Sequence, residues 1–162
     1  MSGVHVRNRQ PTPELLRFQT LAQSLDDTAT RVAAKVIPKN YRFVIGVQMA
    51  NAANELAELV DESLEHYPSN SVAAQERRRC YSQAVAKAKT VKRLANKAKR
   101  LDLAKASEFD ELISDANEFV KCVHGLKKNI KIKGVESAED AIAWHKAQIE
   151  ALDAIQLGDV AP

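Results

Sequence analysis

The chain has 162 residues, of which 45% are apolar and only 5% are aromatic, and its net charge is +3. This length suits one domain with one core, and the composition favours helix over sheet, because β-rich chains depend on aromatic and β-branched residues. No apolar run reaches the 18 residues that a membrane span needs, and the first residues lack the apolar core of a secretory signal. Cys80 and Cys122 lie far apart and are typical of reduced thiols. We therefore expect a cytoplasmic helical protein without membrane contact.

The first predicted helix begins at Thr12-Pro13-Glu14. This triplet offers a capping side chain, a proline at the first helical position and an acid in the first turn. Residues 1–12 before it are polar, and we expect a flexible arm. Apolar residues then recur at steps of three or four, which indicates one buried stripe of an amphipathic helix. That stripe comprises Phe18, Leu21, Leu25, Ala29, Val32 and Val36. Pro38 should end the helix, because the residue before a proline is disfavoured in the α region.

Two further helices are predicted on either side of the turn-forming run 67–71. The second helix should run from about Tyr41 to His66, with acids along one stripe at Glu55, Glu58, Glu62 and Glu65. Its expected apolar face comprises Phe43, Val47, Ala50, Ala53, Ala57, Val60 and Leu64. The third helix, capped by Ser71, should run from about Val72 to Lys105. At 1.5 Å per residue it would be roughly 50 Å long.

A fourth helix is predicted from Ser107, in a capping-box-like sequence, to about Lys128. Its apolar stripe comprises Phe109, Leu112, Ile113, Ala116, Phe119, Val120 and Val123. A last helix, capped by Ser137, should cover about 138–156. No segment alternates with a period of two, so no sheet is expected. The pattern predicts an all-α fold: an up-down-up-down four-helix bundle over 13–130, followed over 131–162 by a linker and an acidic C-terminal extra helix.

Charge is segregated along the chain. Between Arg77 and Lys105 there are eleven Lys or Arg residues and one acid, whereas between Glu136 and Asp159 there are six acids and one base. Most of the third helix's cations occupy the side opposite its small apolar residues, without a Glu at i±4 to relieve their repulsion. A polyanion would relieve it, with counterion release driving binding. The candidate nucleic-acid-binding residues are Arg77, Arg78, Arg79, Lys89, Lys92, Arg93, Lys97, Lys99 and Arg100.

The basic face is also consistent with a solvated helix surface that has no ligand. It is equally consistent with an acidic neighbour such as the second helix's acids, within the bundle or across a subunit interface. The acidic last helix is a further candidate to cover it. Tyr81 is the only aromatic residue nearby, so phosphate contacts are favoured over base stacking.

The sequence contains no catalytic constellation. The four histidines form no HExxH motif and no Cys/His metal spacing, and there is no glycine-rich phosphate loop, GxSxG or DxD. The expected protein is not an enzyme, and we predict no cofactor, metal site or small-molecule substrate.

The stretch VIPKNYRFVIG at residues 36–46 combines a proline, two cations, an aromatic pair and a glycine, whereas a simple turn needs only one helix-breaking residue. Its pattern, Ile37-Pro38-Lys39-x-x-Arg42-Phe43-x-x-Gly46, resembles the signature of a four-helix-bundle family. That family includes the accessory variability proteins (Avd) of diversity-generating retroelements and the proteins encoded by intervening sequences in bacterial 23S ribosomal RNA genes. The resemblance covers roughly residues 15–130 and departs from the family at Ile37, where Phe is commoner, and after Lys131.

The resemblance implies a cytoplasmic bundle that assembles into a ring, typically a homopentamer. For the accessory variability branch it implies a basic surface that binds RNA or cDNA, and a partnership with the element's reverse transcriptase. Such proteins are not themselves enzymes, and the ribosomal branch has no settled role. The basic third helix favours the first branch.

The leading prediction is thus an oligomeric, non-catalytic accessory subunit of a reverse transcriptase. The alternatives are a structural or protein-interaction bundle without nucleic-acid binding, and a mobile-element regulatory protein that binds DNA.

The motif residues Pro38, Lys39, Arg42, Phe43 and Gly46 are predicted to mark the family and an interface. Cations near a helix N-terminus are mildly unfavourable. Lys39 and Arg42 are therefore expected to have partners, which would be acids in this or a neighbouring subunit, or phosphate. Gly46 is expected to allow the close approach of a neighbouring helix.

Overall fold

Residues 12–132 and 138–158 are described by a computed structural model, and within them five long helices and no strand are present. They are α1 (Pro13–Arg31), α2 (Val47–Glu65), α3 (Ser71–Arg100), α4 (Ser107–Lys128) and α5 (Ala138–Gly158). The predicted all-α bundle is confirmed. The predicted flexible arm before Thr12 and the predicted cap at Ser137 lie outside the described residues.

The first four helices form the bundle in up-down-up-down order. Helices α1 and α3 each pack against both α2 and α4. Ion pairs record the antiparallel directions: Arg17 and Arg31 of α1 contact Glu118 and Glu111 of α4, respectively. Residue numbers rise along α1 as they fall along α4, so the two helices are antiparallel. The α1–α2 and α3–α4 connections therefore lie at the same end of the bundle.

Two π-helical turns flank the α1–α2 connection. Val32–Val36 extends α1, and Arg42–Gly46 follows a single helical turn, Lys39–Tyr41, and leads into α2. The Ile37 amide donates to the Val32 carbonyl over five residues, at 3.0 Å, which is the hydrogen bond of a π turn. Pro38 lies between the two turns, and the first helix with its π-turn extension ends before it, as predicted.

The π turn before α2 changes which side of the chain is buried. The predicted apolar face is wrong at Phe43 and Val47, which are exposed, and right at Ala53 and Val60. A π turn holds more residues than an α turn, so it shifts the phase of the side chains on either side of it. The buried residues of this segment are Ile45, Gly46, Met49, Ala52, Ala53, Leu56, Val60 and Ser63.

The predicted stripes of α1 and α4 are confirmed except at Val36, Ile113 and Val120, which are half-buried. Phe18, Leu21, Leu25, Ala29 and Val32 are buried on the α1 side, and Phe109, Leu112, Ala116, Phe119 and Val123 on α4. The core centres on an aromatic cluster in which the Phe18 ring lies edge-on to Tyr81, at 5.3 Å, and stacks on Phe119, at 5.5 Å. Such pairs add to the hydrophobic gain from burial.

The second helix was predicted to begin at about Tyr41, whereas α2 begins at Val47. Two ends of α3 and one end of α4 also differ from their predictions. Asn70 rather than Ser71 caps α3, since its side chain accepts from the Ala73 amide at 2.8 Å. The helix ends at Arg100, five residues before the predicted Lys105, and Asp102 follows in the left-handed region with φ 51°. At α4, the residue before the helix is Ala106, which has no capping side chain. The Thr12 cap of α1 is confirmed by its bond to the Leu15 amide.

Four apolar side chains of the last helix, α5, are open to solvent. Ile142, Ile149, Leu152 and Ile155 are each more than half exposed. Burying such residues would stabilise the fold, so their exposure leaves an apolar stripe open to solvent. Within the described ranges, no helix combines the length and the apolar content that crossing a bilayer requires.

Candidate nucleic-acid interface

The basic surface is built by the way α3 packs. Its core side consists mainly of small residues, since Cys80, Ala84, Ala88, Ala95 and Ala98 are all buried. Small side chains let α2 and α4 approach α3 closely on this side. With the core on one face, the long cationic side chains of the helix other than Arg77 are left to its flanks and its outer face.

Five cations in the second half of α3 form what we call the basic row: Lys89, Lys92, Arg93, Lys97 and Arg100. Lys89, Arg93 and Arg100 are exposed, and the other two are partly exposed. None of the five forms an ion pair with any residue that the structure describes. The row extends about 16 Å along the helix axis, at 1.5 Å per residue. Like charges at these spacings repel one another, and no ion pair with a described residue offsets this repulsion.

Arg77 does not belong to this surface, which corrects the prediction. It is buried, its Nε donates to the Tyr81 hydroxyl at 3.0 Å, and its guanidinium carbon lies 5.9 Å from the centre of the Tyr81 ring. A wheel drawn at 100° per residue in fact puts Arg77 on the core side of α3. Burial raises the pKa of Tyr81, against the opposing effect of Arg77. Arg77 thus satisfies a buried hydroxyl and is not available to phosphate.

Three more candidates are engaged within the bundle. Arg79 contacts Glu62 of α2 at 2.6 Å and Glu76 at 2.7 Å. Lys99 contacts Asp110 of α4 at 2.7 Å. The Arg78 guanidinium donates to the carbonyl of Ile130 at 3.3 Å. These contacts are at the surface, where ion pairs are weak. They nevertheless hold Arg79 and Lys99 against acids of α2 and α4, and Arg78 against the backbone that follows α4.

The second helix supplies the acidic neighbour that sequence reasoning left open. Glu62 pairs with Arg79, and Glu55 pairs with Lys87, a cation absent from the predicted set. Glu58 and Gln83 line the same groove between α2 and α3. The acids therefore neutralise the α2 flank of α3 and do not reach the basic row. The acidic-neighbour interpretation holds for that flank alone.

A lysine of α4 extends the basic row, and sequence reasoning missed it. The Lys127 ammonium donates to the Ser82 hydroxyl of α3 at 2.7 Å. Ser82 precedes Lys89 by seven residues, which is two helical turns along the same side. This contact between α4 and α3 places the Lys127 ammonium on the same side of α3 as Lys89. The sequence showed Lys127 only as a suitable cation for a helix C-terminus.

The motif residues form a tight turn with an exposed apolar patch, in contrast to the charged surface of the basic row. A Cβ added at Gly46 would lie 3.3 Å from the Ala33 carbonyl oxygen and 3.4 Å from its Cα, so the predicted close approach is confirmed. The Arg42 Nε donates to the Ile37 carbonyl at 3.1 Å. Its partner is a backbone carbonyl within the motif, whereas the prediction was an acid or phosphate. Lys39 is exposed and forms no ion pair with the described residues.

The apolar patch at the motif consists of Phe43, Val44 and Val47. Their exposed fractions are 84%, 53% and 44%. The Arg42–Gly46 turn buries Ile45 and Gly46 and leaves these three side chains outside. Exposed apolar groups gathered on one segment are characteristic of interaction surfaces.

The two thiols have environments that suit packing and not nucleophilic chemistry. Burial raises the pKa of both Cys80 and Cys122. A thiol is nucleophilic as its thiolate, so both are poor nucleophiles at neutral pH.

We compared the chain with protein-family models, with curated proteins and with solved structures, and none of the three comparisons gave a match.

Proposed function

We propose that this protein is a non-catalytic accessory subunit that binds RNA or cDNA through the basic row, and that it serves a reverse transcriptase of a diversity-generating retroelement. The observation that carries the binding proposal is the set of five cations on one helix without an acidic partner among the described residues. Cations that line up without internal partners favour a polyanionic ligand.

The form of the row favours backbone recognition. It lies along one long helix and contains no aromatic side chain on which a base could stack, since Tyr81 is buried in the core. Contacts of lysine and arginine to phosphate fix position but carry no sequence information. We therefore propose binding with little sequence preference, which suits a protein that accompanies a polymerase along a template.

The link to the retroelement rests on the motif at residues 37–46. The motif resembles the signature of the accessory variability proteins, and in this chain Gly46 closes the turn while Phe43 projects outward. The exposed patch of Phe43, Val44 and Val47 supports an assembly partner as well. We propose a second copy of this chain in a ring, typically pentameric in that family.

Binding to RNA at several salt concentrations tests the proposal. The affinity of the native chain should fall steeply as salt rises, and the combined charge reversals Lys92→Glu, Arg93→Glu and Lys97→Glu should weaken it further. Circular dichroism should show that the reversed variant keeps its helices, because these side chains lie outside the core. A salt-independent affinity, or equal binding by the reversed variant, would refute the proposal.

A protein-interaction module without nucleic-acid binding is the second candidate, and the apolar patch at Phe43 is the observation that favours it. In that case the basic row would dock on an acidic protein surface. Material purified from cells discriminates between them by its absorbance ratio at 260 and 280 nm, because only the first candidate carries nucleic acid through purification.

A further inference from the structure

Three potential metal ligands of different chemistry converge between α2 and α3. A carboxylate oxygen of Glu62, an imidazole nitrogen of His66 and the Cys80 sulphur all lie within 4.8 Å of one another. The Glu62 Oε1 and the His66 Nε2 are 3.9 Å apart. Two of the residues come from the last turn of α2 and the residue after it, and the third comes from α3.

The donor set and the spacing suit one kind of ion. Thiolate, imidazole and carboxylate are the three ligand types of protein zinc sites, and tetrahedral Zn²⁺ with bonds of roughly 2.0–2.3 Å needs donors about 3.4–3.6 Å apart. Movements of about 1 Å would bring the present donors to that spacing. His66 follows the last residue of α2 and adopts non-helical angles, φ −86° and ψ 75°, so its position is not fixed by helix geometry.

A competing cation lies beside the cluster. Arg79 Nη2 is 2.6 Å from the Glu62 Oε1 and 3.8 Å from the Cys80 Sγ. Its other nitrogens are held elsewhere, because Nε donates to Glu76 and Nη1 donates to Gln83. Arg79 can therefore release the carboxylate and keep two of its hydrogen bonds. Alternatively, it can stay on one oxygen of Glu62 as an outer partner while the other oxygen binds the ion, an arrangement common around metal sites.

We propose that Glu62, His66 and Cys80 bind Zn²⁺, with the fourth position taken by water, and that the ion clips the end of α2 to α3. Binding replaces the proton of the Cys80 thiol with the zinc–sulphur bond, and the proton goes to solvent. The proposal is independent of the nucleic-acid function. Sequence spacing could not reveal the site, because only Glu62 and His66 share a helical i, i+4 relation and Cys80 joins them through the fold.

The test uses the full chain, freed of metal and kept reduced with a non-thiol reductant. Titration with Co²⁺ should produce a thiolate-to-cobalt charge-transfer band, and added Zn²⁺ should remove it by displacement. Zn²⁺ should also raise the thermal midpoint of unfolding. Cys80→Ser should abolish the band, and the matched variant Cys122→Ser, at the other cysteine, should keep it.

Two surface variants keep the test decisive if the buried Cys80→Ser change prevents folding. His66→Gln, at a partly exposed position, should lower Zn²⁺ affinity about tenfold or more by removing one of three protein ligands. Arg79→Gln should raise the affinity about tenfold, because it removes a positive charge next to the ion. The proposal is overturned if neither the native chain nor Arg79→Gln gives a charge-transfer band, or if His66→Gln binds as tightly as the native chain.

Discussion

Neutralising two charges of the basic row gives a quantitative test of how this surface works. The double substitution Lys89→Gln with Arg93→Gln removes neighbouring charges, one helical turn apart, from exposed positions that make no ion pair with the described residues. Because both side chains lie outside the core, the free energy of unfolding should change by less than about 0.5 kcal/mol. Any loss of RNA binding then reports the surface and not the fold.

The magnitude follows from counterion release. For a single strand, each phosphate contact contributes roughly −0.7 to the slope of log K against log salt. Five contacts from the basic row give a slope of about −3.5, and three contacts give about −2.1. Between 50 and 200 mM salt, the affinity of the native chain should therefore fall about 130-fold and that of the variant about 18-fold.

Fluorescence anisotropy with a labelled single-stranded RNA measures both slopes. The matched control is Lys35→Gln with Lys121→Gln, which removes the same charge at exposed positions outside α3. The control should keep the native slope, although its affinity falls slightly through the lower net charge. Equal slopes for the native chain and the Lys89/Arg93 variant would refute the assignment of these residues to phosphate contacts.

Three further predictions concern the fold and its buried groups. Gly46→Val should destabilise the protein by about 1–3 kcal/mol in urea unfolding, because the new side chain meets the Ala33 backbone. Gly125→Ala, with open space around it, should stabilise the protein by about 0.5–1 kcal/mol. Destabilisation by both substitutions would contradict the packing described. Arg77→Met should cost about 1–3 kcal/mol by leaving a buried hydroxyl unpaired and should not change the RNA salt slope; a smaller slope would return Arg77 to the interface. Asp26 has a pKa raised above its ordinary 3.8, first by burial and then by nearby acids, so its ionisation opposes folding: Asp26→Asn should stabilise the protein at pH 7 and give no gain at pH 3, and an equal gain at both values would disprove the cause.

The bundle was predictable from sequence because its helices obey simple rules. The steps of three and four from Phe18 to Val32 identify the buried side of α1, and the same spacing from Phe109 to Val123 identifies that of α4. Pro38 and the polar run at 67–71 separate the helices for reasons that operate locally. Local rules therefore identified the buried sides of these regular α-helices, but not all of the helix ends.

The second helix was predicted, but its buried face was predicted only in part, because the phase of the helix is set by a contact between segments. The residues from Ile45 to Ser63 recur at helical spacing as well as those from Phe43 to Leu64, so periodicity alone does not choose between the two faces. The close packing of Gly46 on Ala33 and the π turn around it decide the choice. The sequence signals a special turn here but not which side chains it turns outward.

The helix that carries the candidate site was predictable, but the residues of the site were predictable only in part. Clustering of charge indicated α3, yet the wheel did not show that Arg79 and Lys99 reach acids on neighbouring helices, nor that Lys127 of α4 joins the same face. Those facts depend on how the helices are placed against each other. The surface that results lacks the predicted cations at the start of α3. It consists of the basic row in the second half of α3, together with Lys127 of α4 beside Ser82.

Crosslinking tests the central proposal most directly. The native chain, irradiated with a uniformly labelled RNA and digested, is analysed by mass spectrometry to identify the peptides that carry nucleotide. If RNA lies on the basic row, the crosslinked peptides should come from residues 87–100 and from the region of Lys127, and they should disappear at high salt. Crosslinks confined to other helices, or none at low salt, would contradict the proposal.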